Sequence, residues 1–186
     1  MGILFAFAPF IGFAVVDRML GSTEGLFAGF VISAALLVRD WLSPNRSPKV
    51  LEIGTAVLFG TLGLYALLSH PDWSLMGVRL AVDSGLLLIV LISIAIRQPF
   101  TLQYAREQVP QEIWASPEFT RTNYVITAVW ALAFVALVGA DLVLLYLPEL
   151  PPRFGIIVTV LALVGAIKFT SWYPDHRRAI AKTATQ

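Results

Sequence analysis

Arg79 and Asp83 stand four residues apart in a run that is otherwise apolar, Leu75 to Ile96. On a helix that spacing puts them on one face, one turn apart. A charged side chain at lipid depth costs about 2.5–3.5 kcal/mol on insertion scales, so such residues mark places where a charge is paired or used. Asp141 lies in a second apolar run, Tyr124 to Leu147. The expected arrangement is one intramembrane cluster in which Arg79 pairs with Asp83 and reaches Asp141. Two carboxylates beside one guanidinium leave a surplus negative charge. That is the chemistry of a proton or cation pathway, or of a site for a lipid headgroup; the structural alternative is a neutralised pair that ties two helices together. Glu52, which opens another apolar run, and Lys168, near the end of the last, form a second expected pair on the opposite side.

No other residues have the spacing of a catalytic or metal centre. His70 and His176 are assigned to opposite sides of the membrane, and there is no Walker loop, HExxH or nucleophile elbow. The chain has no cysteine, so disulfides and thiolate chemistry are excluded. Asp175-His176-Arg177-Arg178 reads as a solvated, positively charged tail. The expectation is a protein that is not an enzyme and has no cofactor and no metal. Nucleic acid is not an expected partner either, because there is no dense basic stripe.

The elements that must position these residues are membrane helices. Of 186 residues, 58% are hydrophobic and 13% charged, about half the charge that a soluble surface carries, roughly 25%. The apolar residues gather into six segments: Ile3 to Leu20, Gly25 to Val38, Val50 to Leu68, Leu75 to Ile96, Tyr124 to Leu147 and Phe154 to Tyr173. A span of about 30 Å takes about 20 helical residues, which the last four supply. The first two are short and separated only by Gly21 to Glu24. The expected fold is therefore all-α, a polytopic transmembrane helical bundle of six membrane segments, with five as the alternative. Residues 1–186 form a single domain. The run Gly2 to Val16 has no Lys or Arg before it and reads as a retained segment, not a secretory signal.

Basic residues alternate between the connections. Arg39, Arg46 and Lys49, then Arg97, Arg106 and Arg121, then Arg177, Arg178 and Lys182 fall on one side; the other side has Arg18 and Arg153. The positive-inside rule makes the rich side cytoplasmic. The C-terminus and the tail 174–186 then lie in the cytoplasm, and so does the N-terminus if there are six spans.

Residues 98–123 form the one long connection, cytoplasmic or interfacial. Pro99 and Pro110 bracket a short helix, and Phe100, Tyr104, Arg106 and Trp114 suit either a segment lying in the headgroup layer, open to partners, or an irregular loop. Asn123, Thr127 and Trp130 share one face of the following helix and are expected to pack or hydrogen-bond against a neighbour. Gly25-x-x-x-Gly29 and Ala81-x-x-x-Gly85 would allow close helix approach and a homo-oligomer. Pro9 is expected to kink the first segment.

The order of these features carries a resemblance. Ser47-Pro48-Lys49 leads into a segment with Phe59-Gly60-Thr61-Leu62-Gly63-Leu64, followed by a turn with His70, Asp72 and Trp73. After the fourth segment come Val109-Pro110-Gln111-Glu112-Ile113-Trp114, then Asn123, Trp130-Ala131-Leu132-Ala133-Phe134 and Leu147-Pro148. This order resembles the intracellular septation protein A family of bacterial inner-membrane proteins, although Gln98 to Phe119 is longer than the family leads one to expect. The resemblance implies a non-enzymatic protein of the bacterial inner membrane that supports septation, elongation or membrane maintenance through contacts with other envelope membrane proteins. It implies no cofactor and defines no catalytic residue. The alternative is a small oligomeric transporter or channel using Arg79, Asp83 and Asp141; a third reading, lipid handling at that cluster, makes membrane lipids the partner.

Overall fold

Each long helix begins and ends where the side-chain chemistry changes from apolar to turn-forming or charged. The computed structural model describes residues 5–43, 47–69 and 74–183, which hold seven α-helices and no strand. These are α1 (Ala8–Met19), α2 (Ser22–Leu42), α3 (Val50–Ser69), α4 (Leu75–Ala95), α5 (Phe100–Arg106), α6 (Pro117–Tyr146) and α7 (Arg153–Thr183), with one 3-10 turn at Gln111–Ile113. Gly2 and Ile3, Arg46, and the turn residues His70, Asp72 and Trp73 lie outside the described residues.

Among the described residues, five helices are long and apolar enough to cross a membrane: α2, α3, α4, α6 and α7. The chain is a multi-pass helical membrane protein. The sixth expected span is α1, whose 12 residues cover roughly 18 Å at 1.5 Å per residue. Only the first segment is short. The second, expected to stop at Val38, continues to Leu42, because the charges of Arg39 and Asp40 meet each other at 2.7 Å. α6 starts seven residues before the expected Tyr124, with Ser116 ahead of a first-turn proline and Glu118 in the same turn, a sequence that starts a helix well. α7 runs on through Pro174 into the expected tail.

Pro9 lies in the first turn of α1, where a missing N–H costs nothing; it starts the helix and does not kink it. α1 turns back on α2 through Gly21, whose φ of 126° suits a residue without Cβ. A Cβ on Gly25 would lie 3.0 Å from the Asp17 backbone, and one on Gly29 would lie 2.7 Å from the Phe59 ring. The small residues of α2 are therefore used inside the chain, against α1 and α3.

The long helices pack in chain order, α2 on α3, α3 on α4, α4 on α6 and α6 on α7. α1 fits against this row through phenylalanines. Phe7, at its N-cap, stacks on Trp130 of α6 at 4.8 Å, while Phe10 and Phe13 meet Phe59 of α3 at 5.2 and 5.7 Å. Trp130, Phe59, Phe100 and Phe134 are all buried at the centre. α7, by contrast, leaves Ile156, Ile157, Val160, Leu161 and Val164 exposed, as a helix facing lipid does.

Candidate functional site

Among the described residues, two groups of charged side chains are buried in this bundle. The first lies between the start of α4 and the end of α6. Ser74 caps α4 by accepting from the Gly77 N–H at 3.1 Å, and one turn on, Arg79 projects toward α6. Its guanidinium meets Asp141 at 3.7 Å. Asp83, on the same face of α4, is half-buried and lies near Asp141 and Arg79. The expected Arg79–Asp83 pair is thus replaced by a pair across helices, with Asp83 set against the other carboxyl. Asp141 is 1% exposed, and its Oδ2 has no hydrogen-bond partner. Two neighbouring carboxyls beside one guanidinium leave a negative charge uncompensated unless a proton or a cation is taken up. The chemistry available here is proton exchange or attraction of a small cation.

The second group gathers at the end of the bundle where α2 stops, α3 starts and α5 lies. Lys49, just before α3, is 2% exposed. Its ammonium binds Asp40 in the last turn of α2, Glu107 at 2.8 Å and Glu52 at 3.6 Å, above the Tyr104 ring at 5.1 Å. Arg39 holds the other Asp40 oxygen. The Tyr104 hydroxyl donates to Glu52 Oε1 at 3.2 Å, and Glu52 Oε2 is buried with no partner. Burial pulls the Lys49 ammonium down, but its hydrogen bonds to Asp40 and Glu107 and the field of Glu52 outweigh this and hold it above its ordinary value. Burial and the neighbouring Glu52 push the Tyr104 phenol up, so it stays a neutral donor.

The expected Glu52–Lys168 pair is not formed. Lys168 is exposed on α7, which packs along α6, while Glu52 on α3 is taken by Lys49 and Tyr104. The spacing signal for this was Lys49–Glu52 at i, i+3; Asp40 and Glu107, from two other elements, had none.

The long connection turns its aromatic residues inward. Phe100, Thr101, Leu102 and Tyr104 are buried, because the amphipathic face of α5 caps the end of the bundle instead of facing a partner. Thr101 Oγ1 donates to the Asn123 carbonyl at 2.9 Å and meets Thr127 Oγ1 at 2.8 Å, and Gln103 accepts from the Val50 N–H at 2.8 Å. Trp114 is half-buried; its indole donates to the Arg106 and Val109 carbonyls, and the Arg106 guanidinium lies 5.6 Å from its ring. Trp130, at the far end of the Asn123–Thr127 face, donates to Thr170 of α7 at 2.9 Å.

A cleft of ≈ 200 Å³ opens between α5, α6 and α7, lined by Tyr104, Gln108, Asn123, Thr170 and Pro174 among others. Among the described residues, no three His, Asp or Glu side chains are grouped to hold a metal ion. Compared with family models, with curated proteins and with solved structures, the chain matches none.

Proposed function

We propose that this protein is a small transporter or channel whose coupling or permeant species is a proton or another small cation. The observation that carries this reading is the Asp83–Asp141 pair: two neighbouring carboxyls in helices long and apolar enough to cross the membrane, Asp141 buried with its Oδ2 unpartnered, and one guanidinium 3.7 Å from Asp141. Ionisable groups at that depth are costly unless they pair or work, and one cation cannot neutralise both. The basic residues Arg39, Lys49, Arg97, Arg106 and Arg177 support a cytoplasmic assignment for the end of the bundle that carries the Lys49 cage and the C-terminal tail. The antiparallel return of α1 along α2 supports the same side for the N-terminus. The membrane implied by the resemblance to the intracellular septation protein A family is the bacterial inner membrane.

The test is reconstitution of the purified protein into vesicles with a pH-sensitive dye inside. Proton or alkali-cation flux above that of empty vesicles, lost in Asp83→Asn and Asp141→Asn variants that stay monodisperse, is the expected result. Flux no greater than in empty vesicles, or unchanged in both variants, sinks the proposal.

A second reading has one observation in its favour. α7 is covered along one side by α6 and is otherwise bare, which would suit a protein acting through lateral contacts with other envelope membrane proteins in septation or elongation. Photocrosslinking in cells from Val160 or Val164 separates the two readings: recovery of division or wall-synthesis proteins supports contacts, and recovery of lipid alone counts against them.

A further inference from the structure

Along α6 and α7, the cleft beside α5 lies between two fixed points. On one side Trp130 donates to Thr170 at 2.9 Å, and on the other Arg177 meets Glu118 at 3.4 Å. Between them Thr122 and Asn123 of α6 face the space with Thr170 and Pro174 of α7, and Gln108 joins them from the turn after α5. Several polar groups in this frame are left over by the fold. Pro174 has no N–H, so the Thr170 carbonyl lacks the donor that position i+4 supplies in an unbroken helix. Asn123 donates through Nδ2 to the Phe119 carbonyl at 2.9 Å, while its Oδ1 accepts nothing from the described residues. The side chains of Gln108 and Thr122 make no hydrogen bond among the described residues either.

None of the described residues lining the cleft is charged, and Ala105, Val109 and Ile126 give it an apolar wall. An ion would therefore lose water there without gaining a counter-charge. A molecule with several hydroxyls fits instead, because each O–H both donates and accepts. It can donate to the Thr170 carbonyl and Asn123 Oδ1 and accept from Gln108 and Thr122. The volume of ≈ 200 Å³ is below the roughly 300 Å³ at which sites for drug-sized ligands begin, so the occupant is headgroup-sized. Trp172 and Tyr173, next to Pro174, are residues of the kind that sit at headgroup level. We infer that this cleft binds an uncharged polyol, a glycerol group held through its hydroxyls by Thr170, Asn123, Thr122 and Gln108. A neutral membrane glycerolipid and free glycerol both carry that chemistry. The site shares no residue with the Asp83–Asp141 pair and does not depend on it.

The experiment is photolabelling of the full chain in lipid nanodiscs with a monoacylglycerol that carries a diazirine beside its glycerol head, mapped by mass spectrometry. Label should collect in residues 104–109, 122–126 and 170–174 and be displaced by excess monooleoylglycerol. Thr122→Val removes one hydroxyl partner. Pro174→Ala returns an N–H to the Thr170 carbonyl, which completes the helix while taking the acceptor away from the ligand. Each variant should lower the displaceable label by roughly 2–10-fold, the weight of one hydrogen bond. Displacement by free glycerol, mole for mole, supports the inference with a water-borne ligand; displacement by monooleoylglycerol alone supports it with a membrane lipid. Equal displacement by oleic acid, which has no glycerol, overturns it. So does label confined to the bare face of α7, or label unchanged in both variants. Should Thr122→Val fail to fold, an unchanged Pro174→Ala overturns it alone.

Discussion

Replacing Lys49 with methionine removes a cation that three elements share. The Lys49 side chain is 2% exposed and that of Asp40 0%, so the carboxylate left behind cannot be rescued by water. Breaking a buried pair from one side costs about 3–5 kcal/mol, because it strands the other charge. Arg39 stays on Asp40 Oδ1 at 2.7 Å, and Glu107 can turn to solvent, so the lower end applies: about 3 kcal/mol. The measurement is the unfolding free energy from titration with a denaturing detergent in mixed micelles. Lys49→Met with Asp40→Asn in the same chain removes the stranded charge and should recover a coupling energy of about 1–3 kcal/mol. The pH dependence has a definite sign. Because folding raises Lys49 above its ordinary value of 10.5, its contribution is complete below that pH and decays as pH rises through the folded value. Wild type should therefore lose stability on the strongly alkaline side, and Lys49→Met should lack that limb. A Lys49→Met cost below about 1 kcal/mol, the range of an exposed pair, would refute the cage as described. So would a double variant no more stable than the single.

Three further outcomes follow from packing and backbone. Gly29→Val pushes carbon into the Phe59 ring, which Phe10 and Phe13 already hold; overpacking of this kind should cost about 1–3 kcal/mol, read in the same titration. Thr101→Val removes the hydroxyl that joins α5 to Asn123 and Thr127, so it should cost about 1–3 kcal/mol and raise amide exchange across Phe100–Arg106. Arg97 ends α4 with φ of 59°, a conformation costing a side-chain-bearing residue about 1–2 kcal/mol. Arg97→Gly should therefore raise stability by about 1 kcal/mol, and a loss instead would mean that the arginine makes a compensating contact.

The sequence by itself determined that this chain is a bundle of membrane helices, because run length and charge exclusion are one-dimensional properties that lipid reads directly. Arg79, Asp83 and Asp141 stood out for the same reason: each is a charge in an apolar run. Helical spacing also put Asn123, Thr127 and Trp130 on one face, and all three are buried. Tertiary structure decided which charges meet. Periodicity says that Arg79 and Asp83 share a face, but not which helix lies opposite; α6 lies there, so Arg79 meets Asp141. Glu52 and Lys168 were matched by depth alone, and depth does not reveal that α7 packs along α6 while α3 lies between α2 and α4. The amphipathic character of Phe100, Tyr104, Arg106 and Trp114 was legible, whereas the direction in which Phe100 and Tyr104 turn, into the bundle's own end, was not. The Lys49 cage was the least legible feature, because its acids come from α2, α3 and the end of α5. Only folding brings those three elements to one ammonium, where burial makes the pairing obligatory.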